Sequence, residues 1–223
     1  MKNLFKAILA VAAVICAGSV YAVGTLTIFD GTTTITVTDG SALDSNPAPG
    51  AVTWIGTIGV WNINVDTGLT KPAVGSAVLP VMDLSFLGHS AKSRKARRGP
   101  SSTGAGTLTL TWSDSGFTAN GRGTDLFGGT AGGTVTDQIL KNGVVVLSQG
   151  PLGPGAFSGT TSGFIALKPS DVLSLVVTIH HSGPATTTGN KSFTVVPDGG
   201  SAVALLGIAL VGVEALRRKL KAC

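Results

Sequence analysis

Alternation with period two governs what this chain can fold into. Leu26 and Ile28 alternate with Thr25 and Thr27, Ile35 and Val37 with Thr34, Thr36 and Thr38, and Trp61, Ile63 and Val65 with Asn62 and Asn64. Leu108, Leu110 and Trp112 alternate with Thr107, Thr109 and Thr111. Leu173, Leu175, Val177 and Ile179 carry a later strand, and Phe193 and Val195 the last one. Successive side chains on a strand point to opposite faces. Each run therefore has one apolar and one polar, mostly hydroxyl, face, as a half-buried antiparallel sheet requires. No long segment shows the 3.6-residue period of an amphipathic helix.

Turn signals separate these runs. Asp30-Gly31 and Asn142-Gly143 suit two-residue hairpins, whose primed turns need positive φ. Gly128-Gly129 and Gly132-Gly133 are expected to break the chain before Thr134-Val135-Thr136. Gly150-Pro151-Leu152-Gly153-Pro154-Gly155 is expected to be a loop without strand potential, and Lys168-Pro169-Ser170-Asp171 a turn into the next strand. About ten short strands spread over residues 23–195 predict an all-β fold. Its architecture is an antiparallel two-sheet sandwich, a jelly roll being one such arrangement, and no helix is needed in the body.

Both ends of the chain read as address segments. Residues 1–6 carry two lysines, residues 7–20 are an uninterrupted apolar run, and Val20-Tyr21-Ala22 ends on a small residue. This is the pattern of a secretory signal peptide in residues 1–22, cleaved after Ala22. It implies the Sec translocon and signal peptidase as partners. Ile15 before Cys16 is too large for a lipoprotein signal. At the other end, residues 199–216 form an apolar run broken only by Glu214. At about 1.5 Å per helical residue the run is roughly 27 Å long, just short of a bilayer core. Arg217, Arg218, Lys219 and Lys221 follow and mark a cytoplasmic stop by the positive-inside rule. Read alone, helix and charges describe a plain C-terminal anchor.

The motif before that helix points further. Val196-Pro197-Asp198-Gly199-Gly200-Ser201, the apolar helix and the terminal Arg217-Arg218-Lys219 resemble the tripartite C-terminal sorting domains called PEP-CTERM, in particular the form written VPDSG-CTERM. The resemblance implies recognition of residues 196–223 by an exosortase, a membrane-embedded cysteine protease of diderm bacteria that usually travels with exopolysaccharide production. The chain would be secreted across the inner membrane, held there transiently, then released to the cell surface or extracellular matrix. Parts of the body are similar to a recurrent ectodomain of exosortase cargo. These are Phe29-Asp30-Gly31-Thr32-Thr33-Thr34, Asp44-Ser45-Asn46-Pro47, the stretch from Gly56 to Trp61, Thr67-Gly68-Leu69-Thr70-Lys71-Pro72, and Gly155-Ala156-Phe157-Ser158-Gly159-Thr160-Thr161-Ser162-Gly163.

With the ends set aside, the body has no cysteine and no glutamate, which removes disulfides and thiol catalysis. The sequence pI of 9.5 misleads, because six of the chain's 16 Lys and Arg lie in the address segments. Five more, Lys92, Arg94, Lys95, Arg97 and Arg98, fall in one stretch. Without them the body is acidic, so overall charge gives no support to nucleic-acid binding. That basic stretch is either a solvated loop or a contact for acidic exopolysaccharide or another surface polyanion.

Other chemistry is sparse. His180-His181 would point to opposite faces of a strand and cannot jointly chelate a metal, and His89 lies beside the basic stretch. Gly155-Ala156-Phe157-Ser158-Gly159 has the wrong spacing for a nucleophile elbow, and no pair of Asp stands out for glycoside hydrolysis. Asp39, Asp44 and Asn46 bracket an oxygen-rich loop that could hold calcium, or serve as ordinary turn residues. Among the tryptophans, Trp61 and Trp112 fall on apolar faces, leaving Trp54 as the candidate sugar platform. No cofactor, metal or catalytic residue is expected. The expected role is a non-catalytic surface or matrix protein, with a glycan-binding module as the alternative.

Overall fold

The computed structural model describes residues 23–86 and 100–197. Ala22, the basic stretch with His89, and all residues after Pro197, including the expected terminal helix and basic tail, lie outside the described residues. Among the described residues every regular element is a strand. In chain order these are β1 (Thr25–Phe29), β2 (Thr34–Thr38), β3 (Ala51–Ile58), β4 (Trp61–Leu69), β5 (Val81–Ser85), β6 (Ser101–Ser102) and β7 (Gly106–Asp114). They continue as β8 (Ala119–Ala131), β9 (Thr134–Lys141), β10 (Val144–Leu152), β11 (Gly155–Leu167), β12 (Leu173–His181), β13 (Ala185–Thr186) and β14 (Thr188–Pro197).

They form the expected sandwich. A 6-stranded sheet has the order β10-β9-β12-β7-β1-β2, and an 8-stranded sheet the order β11-β8-β14-β5-β4-β6-β13, with β3 on the other edge of β4. The pairing is antiparallel throughout. From β7 onward most connections cross between the sheets, so sequence neighbours such as β8 and β9 lie in opposite layers.

The alternating residues meet between the layers. Leu26, Ile28, Leu108, Leu110, Trp112, Leu175, Val177 and Ile179 of the smaller sheet pack against Trp61, Ile63, Met82, Leu84, Phe127, Phe193 and Val195 of the larger. Trp112 on β7 reaches the opposite sheet, where its Nε1 donates to the Leu69 carbonyl at 2.9 Å. Gly68 makes room for the indole: a Cβ there would lie 2.9 Å from Trp112 Cδ2.

A second tie between layers is ionic. Lys71, after β4, places Nζ 2.6 Å from Asp114 Oδ2 at the end of β7 and also donates to the Ser115 carbonyl. Thr70 Oγ1 donates to the same carboxylate oxygen at 2.7 Å, and the Ser115 amide donates to Oδ1 at 2.7 Å. The ammonium also lies 4.0 Å from the centre of the Phe117 ring.

Several turns differ from expectation. Asn142-Gly143 forms the two-residue hairpin, with φ of 51° and 77°. Asp30-Gly31 does not. Asp30 Oδ1 accepts from the amides of Thr32 and Thr33, and this side-chain turn holds a four-residue loop, residues 30–33. Gly132-Gly133 is a turn, but Gly128-Gly129 lies inside β8. The stretch 150–155 is largely strand. Gly150, Pro151 and Leu152 finish β10, and only Gly153 and Pro154 link it to β11. β10 is an edge strand and its register shifts after Gln149, and edges and bulges are where a sheet tolerates proline. Lys168 and Asp171 close the expected turn through the Asp171 amide and the Lys168 carbonyl at 2.9 Å.

Candidate functional site

The outer face of the larger sheet carries an open groove among the described residues. Register sets Ser158, Gly128 and Asn190 in one row and Thr160, Leu126 and Ser192 in the next, across β11, β8 and β14. Gly128 contributes no side chain, and these rows enclose an open groove of about 370 Å³. Its lining holds hydroxyls and one amide beside Leu126, which is 51% exposed, and no ionisable side chain. Farther along the same face lie Phe164, 68% exposed, and Arg122, which donates to Ser162 Oγ at 2.5 Å. Such a surface can hydrogen-bond a neutral polyol and cover one apolar face of it, but supplies no acid or base.

The expected platform is elsewhere and is not a platform. Trp54 is only 8% exposed, because Gly56 leaves space on the same face of β3 for the indole to fold over its own strand. Trp61 and Trp112 are buried, as their phase required.

The remaining polar candidates have structural duties. His180 is exposed and His181 buried, so the adjacent rings do diverge. His181 Nδ1 lies 2.8 Å from Ser102 Oγ and Nε2 2.8 Å from Thr187 Oγ1, with the ring against Trp61. Burial, with the nearby His180, lowers the His181 pKa below its ordinary 6.5. In the oxygen-rich loop, Asp39 Oδ2 accepts from the Gly50 amide, Asp44 accepts from the amides of Gly40, Asn46 and Thr53, and Asn46 Oδ1 accepts from the Ala48 amide. These oxygens hold the loop before β3. The flanks of the basic stretch are anchored together: the Phe86 amide donates to the Gly189 carbonyl, and the Pro100 carbonyl accepts from Thr187. Lys92, Arg94, Lys95, Arg97 and Arg98 themselves lie outside the described residues.

A charged cluster in the core was missed by the sequence reading. Lys191 on β14 is in direct contact with Asp137 Oδ1 on β9 and 3.3 Å from Asp125 Oδ2 on β8, and all three are fully buried. Gln149 Nε2 on β10 donates to Asp125 Oδ2 and to Asp137 Oδ2, each at 3.2 Å. Lys191 also donates to the Gln138 carbonyl. Burial lowers the Lys191 pKa to about 8 and raises that of Asp125. The signal was present: Lys191 is in phase with Phe193 and Val195, Asp137 with Val135 and Ile139, and Asp125 with Phe127. A charge in phase with an apolar face points inward.

The last strand leads to the sorting segment. β14 lies between β5 and β8, and its final residues Val196 and Pro197 still pair with Arg122 and Gly121. Residues 195–220 match the family described as VPDSG-CTERM motif. The chain carries a PEP-CTERM-type sorting domain at its C-terminus. VPDSG-CTERM implies processing by an exosortase-type membrane enzyme and a secreted, surface or extracellular destination. No curated protein matches the chain. Among solved structures, a β-glucosidase from Kluyveromyces marxianus is similar at 12% identity and TM-score 0.30, over 55% of this chain and 18% of that one. The chain therefore spans under one-fifth of that enzyme. A PA14 sugar-binding domain from an RTX adhesin is similar at 11% identity and TM-score 0.33, over 78% and 90% of the two chains. TmCBM61, solved with β-1,4-galactotriose, is similar at 9% identity and TM-score 0.28, over 62% and 88%. Likeness at this level assigns no function.

Proposed function

We propose that this chain is a non-catalytic β-sandwich displayed at the cell surface or in the exopolysaccharide matrix, delivered by exosortase-type sorting. One observation carries the reading: the sorting motif begins inside β14. Processing there acts on a segment continuous with a strand paired on both sides, so whatever joins the new C-terminus is coupled directly to the folded layer. The apolar run 199–216 and the four bases hold that segment at the membrane until it is cut. Mass spectrometry of the protein from its own cells tests this. The mature form should lack residues 217–223, whereas a strain without the exosortase, or Pro197→Ala with Asp198→Ala, should retain them. Cys223 intact on wild-type surface protein would leave a permanent anchor and overturn the sorting step.

The groove favours a second reading, a glycan-binding face of the same displayed domain. A Cβ at Gly128 would meet its nearest neighbours at 3.4 and 3.7 Å, ordinary contact, so Gly128→Ala places a methyl in the groove without strain. The variant should keep its Tm and lose retention on the host's exopolysaccharide. Equal retention of variant and wild type would remove the groove from consideration.

A further inference from the structure

The buried cluster has an unusual charge balance. One ammonium faces two carboxylates in a site with no exposed surface. As an ion triad it holds a net negative charge in the core, and Asp125 Oδ1 has no hydrogen-bond partner. Desolvating three ions is costly, and a core built for stability alone would use apolar residues of the same volume. Most cross-strand neighbours are apolar: Lys191 pairs across the sheet with Leu84 and Phe127, Asp125 with Phe193 and Asp137 with Val177, while Thr161 and Gln149 face Asp125 and Asp137 from the other side. Such an environment activates an amine and keeps water from reversing a condensation.

We propose that Lys191 and Asp137 condense into an intramolecular amide that ties β14 of one sheet to β9 of the other, with Asp125 as proton carrier. The atoms are placed for it. Lys191 Nζ is already in contact with the Asp137 carboxyl, Asp125 Oδ2 is 3.3 Å from the same nitrogen, and Gln149 Nε2 is 3.2 Å from Asp137 Oδ2. The ammonium first passes a proton to Asp137, giving a neutral amine and a carboxylic acid, and Asp125 stays ionised. The nitrogen lone pair attacks Asp137 Cγ. Gln149 donates to the oxygen that gains charge. Asp125 takes a proton from nitrogen and returns it to the departing hydroxyl, which leaves as water. The C–O bond breaks, the C–N bond forms, and the net charge of the cluster is unchanged. No oxidant or second reactant is needed. The depressed pKa of Lys191 and the raised pKa of Asp125 agree with proton exchange inside the cluster. In the product the amide N–H has Asp125 as acceptor and the amide carbonyl has Gln149 as donor, so both new polar groups are satisfied.

A tryptic digest of the denatured full-length protein tests this. Condensation removes the cleavable amine of Lys191, so peptide 123–141 should appear only as a branched species joined at Lys191, uncut there and lighter by one water. Fragment ions should place the branch on Asp137; a branch on Asp125 would overturn the assignment of roles. Linear peptides 123–141 and 142–191 at full mass from folded wild-type protein would overturn the bond itself. Lys191→Arg, which keeps a cation but cannot form this bond, should release linear 123–141. Its continued absence would place the link elsewhere. Asp125→Asn, shown by circular dichroism to be folded, should also give linear peptides. A branched product from it would remove Asp125 as proton carrier. The wild-type digest decides the central claim even if a variant does not fold.

Discussion

Removing one partner of the Lys71–Asp114 pair should destabilise the sandwich far more than removing both. The side chains are 4% and 0% exposed, so loss of either leaves an uncompensated group in a dry site. Breaking a buried pair in this way costs about 3–5 kcal/mol, while an apolar replacement of both is often neutral or stabilising. The two single losses should differ. In Lys71→Met, Asp114 retains the Thr70 hydroxyl and the Ser115 amide as donors, which places the cost near the low end, about 3 kcal/mol. In Asp114→Leu the ammonium retains only a carbonyl and the Phe117 ring, and Thr70 loses its acceptor, which places it near about 5 kcal/mol. For a domain of this size 1 kcal/mol moves Tm by about 2–4 °C, so the shifts should be roughly 6–12 °C and 10–20 °C. The assay is urea unfolding of the two single variants and the double variant, followed by tryptophan fluorescence. The double variant should cost less than either single, which places it about 5 kcal/mol or more below the sum of the two. Additive singles, or an Asp114→Leu cost within the roughly 0.5 kcal/mol of a surface change, would refute the clasp.

Other outcomes follow from the same packing. Gly68→Ala pushes a methyl into the Trp112 indole and should cost about 1–3 kcal/mol, with a changed near-ultraviolet circular dichroism spectrum. The His181 pKa is lower in the folded state, so below about 6.5 the unfolded chain binds more protons and stability falls as pH falls. Melting curves between about pH 8 and about pH 5 should show this slope, and His181→Gln should lose its contribution. Replacing Lys92, Arg94, Lys95, Arg97 and Arg98 by Ser should weaken retention on an anionic polysaccharide column at low salt, and equal elution would leave the stretch a solvated loop.

Period two located the strands because it reports a one-sided burial that each segment expresses alone. Leu26 and Ile28 carry the same message whichever strand they pair with. Pairing order is different: β14 between β5 and β8 is decided by residues far apart in sequence, and no local pattern encodes it. The glycine and proline signals misled where tertiary contacts overrode them. Gly128 and Gly129 lie inside β8 because β11 and β14 pair along both its sides, and Gly129 faces the Thr188 carbonyl too closely for any side chain. Trp54 was misread because its platform role was judged by elimination, whereas Gly56 two residues on was the sign that the ring lies down. In the similar-looking stretch from Thr67 to Pro72, each residue with a discernible task serves another strand: Gly68 admits Trp112, Leu69 accepts its N–H, and Thr70 and Lys71 hold Asp114. Composition could not reveal that, since the partners are some 40 residues away.

Lys191 lies on the strand that leads into the sorting motif. β14 runs 10 residues from Thr188 to Pro197, roughly 30 Å at strand spacing, and its far end is where sorting acts. Were the C-terminus anchored as proposed, a pull on it against drag on the body would act along the strand. The ladders to β5 and β8 then resist in shear, with many hydrogen bonds sharing the load. Hydrogen bonds can break and re-form, and a strand paired only within its own sheet can slip in register. Lys191 enters from β14 into the space between the layers, so an amide to Asp137 fixes β14 to β9 and ends slippage at that point. Six residues, Ser192 through Pro197, would then be all that force could peel from the sheet. A displayed domain anchored through its last strand gains most from a covalent tie on that strand, and the buried Lys191 cluster lies on it.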